Sequence, residues 1–114
     1  MNRIAKAFSQ NSAFIPFLMG GDPDIETTEQ LLYALQEAGA DAIEIGIPFS
    51  DPVAEGPVIE AAAARALSKG CTVEQLFDLL ARVRHEIRVP ILFMTYYNPV
   101  FVYGIDRFAA RRAQ

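Results

Sequence analysis

From Thr72 onward the apolar residues Leu76, Leu79, Leu80, Val83 and Ile87 recur at the spacing of one helical face. Thr72 and Gln75, three residues apart ahead of that run, form a capping-box pattern, and Pro90 is expected to end the helix. An earlier segment, "ETTEQLLYALQEAG", sets Leu31, Leu32, Leu35 and Ala38 on one face and places Gly39 where a helix stops. Thr27 or Thr28 is the expected cap. "VIEAAAARALSKG" reads as a further helix, with Pro57 at its first position and Gly70 at its close. "NRIAKAFSQ" predicts a short amphipathic helix at the start, with Ile4 and Phe8 on one side.

Three short apolar runs alternate with these helices. "AFIPFLMGG", "ADAIEIGIP" and "ILFMTYY" are rich in branched and aromatic residues and bounded by glycine or proline, so each predicts a strand. Pro16 lacks the N–H that a sheet ladder needs, which implies a bulge or a strand end there. "FSDPVAEG" and "NPVFVYG" read as loops, and "IDRFAARRAQ" as a last helix. Strands alternating with helices predict an α/β fold with a parallel sheet and right-handed crossovers.

Alternation along the second strand poses a question. Ile43, Ile45 and Ile47 point one way, and Ala42, Glu44 and Gly46 the other. The isoleucine face suits packing against helices. A lone carboxylate on the opposite face would be costly beneath a second helix layer. In a barrel, that face looks into the interior, and Glu44 stands about two residues from the strand's end, near the mouth where barrel active sites sit. It is either a functional group or an internal partner of an arginine from another strand. Glu55, just before Gly56 and Pro57, fits a helix N-terminus electrostatically. It also fits the second place in a carboxylate pair doing acid–base chemistry.

Composition narrows the functional classes. At 114 residues, 52% of them hydrophobic, the chain suits one globular domain with a modest core. A formal charge of -4 argues against nucleic-acid binding. The Arg111–Arg112 pair reads as a solvated helix face. The single cysteine, Cys71, permits no internal disulfide, which fits a cytoplasmic protein, and it reads as a small residue at a helix junction. His85 reads as a solvated residue near a helix C-terminus. No apolar run approaches the length of a membrane span.

The segment "EIGIPFSDPVAEGPVIEAAAARAL" closely resembles the signature of the tryptophan synthase alpha subunit family. "FIPFLMGGDPD" before it and "PILFMTYYNPVFVYGIDRFA" after it resemble the flanking segments in order and spacing. The resemblance implies a (β/α)8 TIM barrel and retro-aldol cleavage of indole-3-glycerol phosphate to indole and glyceraldehyde 3-phosphate, without metal or organic cofactor in this subunit. It also implies a beta subunit partner, carrying pyridoxal phosphate, in a complex of two alpha and two beta chains. By the same resemblance Glu44 and Glu55 are the catalytic carboxylates, with glutamate at position 55 where the family most often has aspartate. Phe17, Met94 and Tyr96 match positions lining the indole pocket; ordinary barrel core is the alternative for all three, and for Met94 above all. Pro48, Asp51, Pro52 and Asn98 fall in loops that resemble those facing the beta subunit.

A TIM barrel needs about 250 residues, and its phosphate site lies in late loops. The expectation is therefore a single incomplete barrel domain over 1–114, the N-terminal helix plus three βα units. Such a chain alone is expected to be inactive or poorly folded. A non-catalytic module that binds the beta subunit is the alternative. Another phosphate-sugar barrel enzyme is a third reading, against which the "PFSDP…EGP" run argues.

Overall fold

The computed structural model describes residues 2–9, 12–50 and 56–113. Its elements run α1 (Arg3–Ala7), β1 (Phe17–Met19), α2 (Ile25–Glu37), β2 (Ile43–Gly46), α3 (Pro57–Ser68), α4 (Val73–Val83), β3 (Ile91–Met94), α5 (Tyr97–Tyr103) and α6 (Ile105–Ala113). The strands form one parallel sheet in the order β1-β2-β3. Pro16 sits just ahead of β1, where its missing N–H costs nothing, and its carbonyl accepts from the Glu44 N–H at 2.9 Å.

One face of the sheet is closed by helices. Leu18, Ile43 and Ile45 pack with Leu32 of α2 and with Leu79 and Val83 of α4 into a buried cluster. Leu32, Ile43 and Leu79 are fully buried, and each such side chain contributes roughly 1.5–3 kcal/mol. A second cluster joins Met19 and Ile47 to Ala63 and Ala66 of α3, Leu76 and Phe77 of α4, and Phe108 of α6. Phe77 is its aromatic hub, with edge-on contacts to Phe93 at 5.3 Å and Phe108 at 5.2 Å between centroids.

Several local expectations hold and several do not. The capping box at Thr72 and Gln75 has both of its hydrogen bonds, and Pro57 opens α3. The cap of α2 is Asp24, not a threonine. Its carboxylate accepts from the Thr27 N–H at 2.7 Å, while the buried Thr28 hydroxyl accepts from Gly21 N–H and donates to the Asp24 carbonyl. Leu31 of α2 and its C-cap Ala38 are exposed, because the covered stripe runs through Thr28, Leu32 and the half-buried Leu35. Helix α4 ends at Val83, well before Pro90, and Ile87 is buried from the turn that follows.

The segment from Asn98 to Gly104, expected to be a loop, is mostly helix α5, which begins at Tyr97, so β3 ends at Met94 instead of running on through Tyr97 as expected. Pro99 occupies the first turn, where a backbone N–H has no helical partner in any case, so it does not oppose the helix. Gly104 ends α5 with φ of +108°, a conformation that glycine adopts without strain.

Arg111 is not a solvated face residue. It bonds to Glu74 and, at 3.1 Å, to Asp78, and its guanidinium lies 5.2 Å from the Phe77 ring centre. Tyr103 donates to Glu74 at 2.7 Å, and Arg107 reaches the same carboxylate at 3.1 Å. These contacts tie α5 and α6 to α4. Among the described residues, no helix is long and apolar enough to cross a membrane.

Candidate functional site

Strand register builds the site. Phe17, Glu44 and Leu92 are lateral neighbours across the three strands, and Met19, Gly46 and Met94 form the next row. Neighbours in a parallel ladder share a face, so these six residues lie opposite the helix-covered Leu18, Ile45 and Phe93. Glu44 is thus set among apolar side chains on the face without α2 and α4, two residues before β2 ends. It is partly buried, and its carboxylate has no hydrogen-bond or ion-pair partner among the described residues. Among those residues, the arginine partner of the structural alternative is absent.

Beyond the strand ends lies a cleft of about 100 Å³. Phe17, Met94 and Tyr96 all line it, so residues from β1 and from the end of β3 meet in one place. Phe49 adds a ring 5.3 Å from that of Tyr96, tilted by 39°. Ile59 and Ala63, one turn apart on α3, close another side, and Met19 and Gly46 form the floor. Small-molecule sites commonly span about 300–1,000 Å³, so these residues supply part of a wall rather than an enclosed site.

Sequence reasoning missed Met19, Gly46, Ile59 and Ala63. Met19 and Gly46 were legible, since each follows an inward residue, Phe17 or Glu44, by two positions. Gly46 is there for clearance: a Cβ would come within 2.7 Å of the Phe17 ring. Ile59 and Ala63 carried the i, i+4 signal of one helix face, with nothing local to say which face that was.

Pro48 and Asn98 come together elsewhere. Pro48 is buried and Asn98 exposed, and both line a groove of about 420 Å³ with Phe49, Ser50, Pro99 and Val102. The outer side of α5 is apolar and open. The Tyr97 and Phe101 rings lie 5.9 Å apart, tilted by 38°, and both are exposed, as is Val102. Asp51, Pro52 and Glu55 lie outside the described residues.

The remaining titratable groups lie away from the cleft. Glu74 is held below the usual carboxylate range, first by the Tyr103 hydroxyl and then by Arg111 and Arg107. Burial pushes the Cys71 thiol up to about 11, which makes it a poor nucleophile. His85 is exposed in the turn after α4. Among the described residues, no cluster of three His, Cys, Asp or Glu could hold a metal ion.

Comparison with known proteins decides the family. The model of the tryptophan synthase alpha chain matches residues 4–114. The chain belongs to the tryptophan synthase alpha chain family. It is 56% identical over 101 residues to the alpha chain of Picosynechococcus sp., covering 89% of this chain and 38% of that one. It is 49% identical to the alpha chain of Caldanaerobacter subterraneus, covering 95% and 43% respectively. The chain thus spans about two-fifths of the length of the curated relatives it matches.

Solved structures agree. Tryptophan synthase subunit alpha from Legionella pneumophila superposes with a TM-score of 0.90 at 37% identity, covering 99% of this chain and 45% of that one. The tryptophan synthase complex of Pyrococcus furiosus gives 0.82 at 43% identity, covering 88% and 41%. The three parallel strands and their helices are accordingly part of a TIM barrel of the alpha subunit type, and the family is that of a lyase of tryptophan biosynthesis.

Proposed function

We propose that the full-length form of this chain cleaves indole-3-glycerol phosphate to indole and glyceraldehyde 3-phosphate, with Glu44 as the group that both gives and takes a proton. The observation that supports this most directly is the setting of Glu44. Its carboxylate has no partner among the described residues and lies on an apolar face level with Phe17, which lines the cleft although Glu44 itself does not.

The reaction explains why one carboxyl suffices for both roles. The indole ring carbon bearing the side chain is protonated, which leaves a positive charge delocalised to the ring nitrogen. A proton leaves the glycerol hydroxyl next to the scissile bond. The carbon–carbon bond then breaks, its electron pair restores the ring's aromaticity, and the hydroxyl carbon becomes the aldehyde. One proton is added and one removed, so a group that donates and then accepts ends as it began. Glu55 is assigned to the ring-nitrogen side, where a second carboxylate stabilises the transient positive charge. Glutamate there keeps the charge of the family's more frequent aspartate and reaches one methylene further.

Phe17, Met94 and Tyr96 are assigned to the indole ring, in line with their shared cleft. The phosphate is expected to be held by residues outside this chain's 114. Pro48, Asp51, Pro52 and Asn98 are assigned to the contact with a beta subunit, which would carry the pyridoxal phosphate. The apolar outer side of α5 beside that groove supports this, because exposed apolar patches of this kind mark protein contacts. In Pyrococcus furiosus the related protein is part of an a2b2 complex with mutual activation.

The test is direct. Supplied with indole-3-glycerol phosphate, the full-length chain should release indole, and a beta subunit should raise the rate. A full-length chain that yields no indole, alone or with a beta subunit, refutes the reading and leaves the non-catalytic module.

A further inference from the structure

Helix α3 forms one side of the cleft, yet little in its local sequence fixes where it sits. Helix α2 is capped by Asp24 and α4 by the Thr72–Gln75 box, whereas the cap of α3 is Gly56, with no side-chain hydrogen bond. Its buried residues are Ala63 and Ala66, and methyl groups give shallow ridges that resist sliding or rotation poorly. Among the described residues, one α3 side chain makes a hydrogen bond beyond its own helix. Arg65 Nε donates to Asp22 Oδ1 at 2.8 Å, and its terminal nitrogen donates to Oδ2 at 3.0 Å.

Two parallel bonds between planar groups set orientation as well as distance. Asp22 is the turn residue after β1, and its N–H donates to the Met19 carbonyl at 3.2 Å. The acceptor of the fork is therefore anchored to the strand that supplies Phe17 and Met19. The donor lies two residues beyond Ala63 on the helix that supplies Ile59 and Ala63. An exposed ion pair of this sort contributes little to stability, and Arg65 is more than half exposed, at 57%. Its consequence is geometric.

We propose that the Asp22–Arg65 fork is a positioning contact that sets the spacing between the β1 and α3 walls of the cleft, and so governs how tightly the indole ring is held. This rests on the reading of the cleft as an indole site. Neither residue lines the cleft, so each acts through the walls it holds.

The test uses the full-length chain and indole itself as the probe. Arg65→Lys keeps the charge but loses the fork, and Asp22→Asn loses the charge. Each should weaken indole binding about tenfold, equivalent to about 1.4 kcal/mol. The rise should fall mainly on KM rather than kcat, and the double variant should be no worse than either single one. Melting temperatures should stay within a few degrees of wild type. Arg82→Lys, at the comparable Arg82–Glu29 pair between α4 and α2, should leave affinity unchanged. Should Arg65→Lys fail to fold, Asp22→Glu, which shifts the carboxylate by one methylene, takes its place with the same expectation. Wild-type affinity in the fork variants, with wild type itself cleaving substrate, overturns this proposal alone. A wild-type chain that neither cleaves substrate nor binds indole overturns the indole reading and this proposal with it.

Discussion

Replacing Gly46 by alanine separates the demands of the fold from those of the cleft. The added Cβ would lie 2.7 Å from Phe17 Cζ, 3.0 Å from Phe17 Cε2 and 3.1 Å from Met19 Sδ. Restoring ordinary contact requires the Phe17 ring to retreat by about 0.7 Å. Overpacking of this kind costs roughly 1–3 kcal/mol in a closed core. Here the ring borders an open cleft and can swing into it, which places the cost at the low end. Gly46 does not have a positive φ, so alanine suits its backbone and lowers the entropy of the unfolded chain, a gain of roughly 0.4–1 kcal/mol. The net loss should be about 1 kcal/mol or less. The displaced ring, however, occupies the space assigned to indole. Thermal unfolding of Gly46→Ala should therefore be close to wild type, while indole affinity, measured by titration calorimetry, should fall about tenfold or more. Wild-type indole affinity at a wild-type melting temperature would refute both the contact and the assignment of the cleft.

Three further outcomes follow from the packing and the charges. Leu79→Ala empties a fully buried position facing Ile45 and Leu32 and should lower stability by roughly 2–5 kcal/mol, read as an earlier midpoint in urea. Glu74 has its carboxyl held below its ordinary 4.5, so the folded state binds its proton less readily than the unfolded state does. Its stabilisation is fully present above that ordinary value and is lost as pH falls through the lowered one. The stability gap between wild type and Glu74→Gln should then be widest near neutrality and narrow below pH 4.5, and a gap constant with pH contradicts the network. Cys71, with its thiol pushed up to about 11 by burial, should resist iodoacetamide at pH 7.5 in the folded protein and react promptly in urea. Equal rates in the two states would place the thiol at the surface.

Much of this architecture was legible as period and punctuation. The α4 face, the Thr72–Gln75 box and Pro57 at the head of α3 are local signals, and the structure follows each. The inward row of Glu44 came from strand alternation alone. What escaped was set by contacts distant in sequence. Leu31 matches Leu32 in propensity, and only the position of the sheet decides which is covered. The start at Asp24 was hidden because Thr27 and Thr28 are equally good capping types, and Thr28 is instead committed to Gly21. Helix α5 was obscured by Pro99, although a proline in a first turn and a glycine seven residues after Tyr97 were compatible with a helix. Arg111 reads as a surface charge because its partners, Glu74 and Asp78, lie more than thirty residues away. In the site, the strand residues Phe17 and Met94, Tyr96 at the cap of α5, Pro48 after β2 and Asn98 within α5 are legible only through the family resemblance. The contribution of α3 needed the three-dimensional placement of a helix whose buried face is mostly alanine.

The central claim is that Glu44 moves the protons. It is tested most directly by steady-state cleavage of indole-3-glycerol phosphate by full-length wild type and Glu44→Gln, side by side. Glutamine keeps the shape and the hydrogen-bonding capacity but cannot give or take a proton. A positioned acid–base group typically supplies about 10²–10⁴-fold, and here one group serves two transfers. If Glu44 moves the protons, kcat falls by about 10³-fold or more while KM changes by less than about tenfold. A Glu44→Gln enzyme that turns over within tenfold of wild type would contradict it, and the acid–base role would have to pass to another residue.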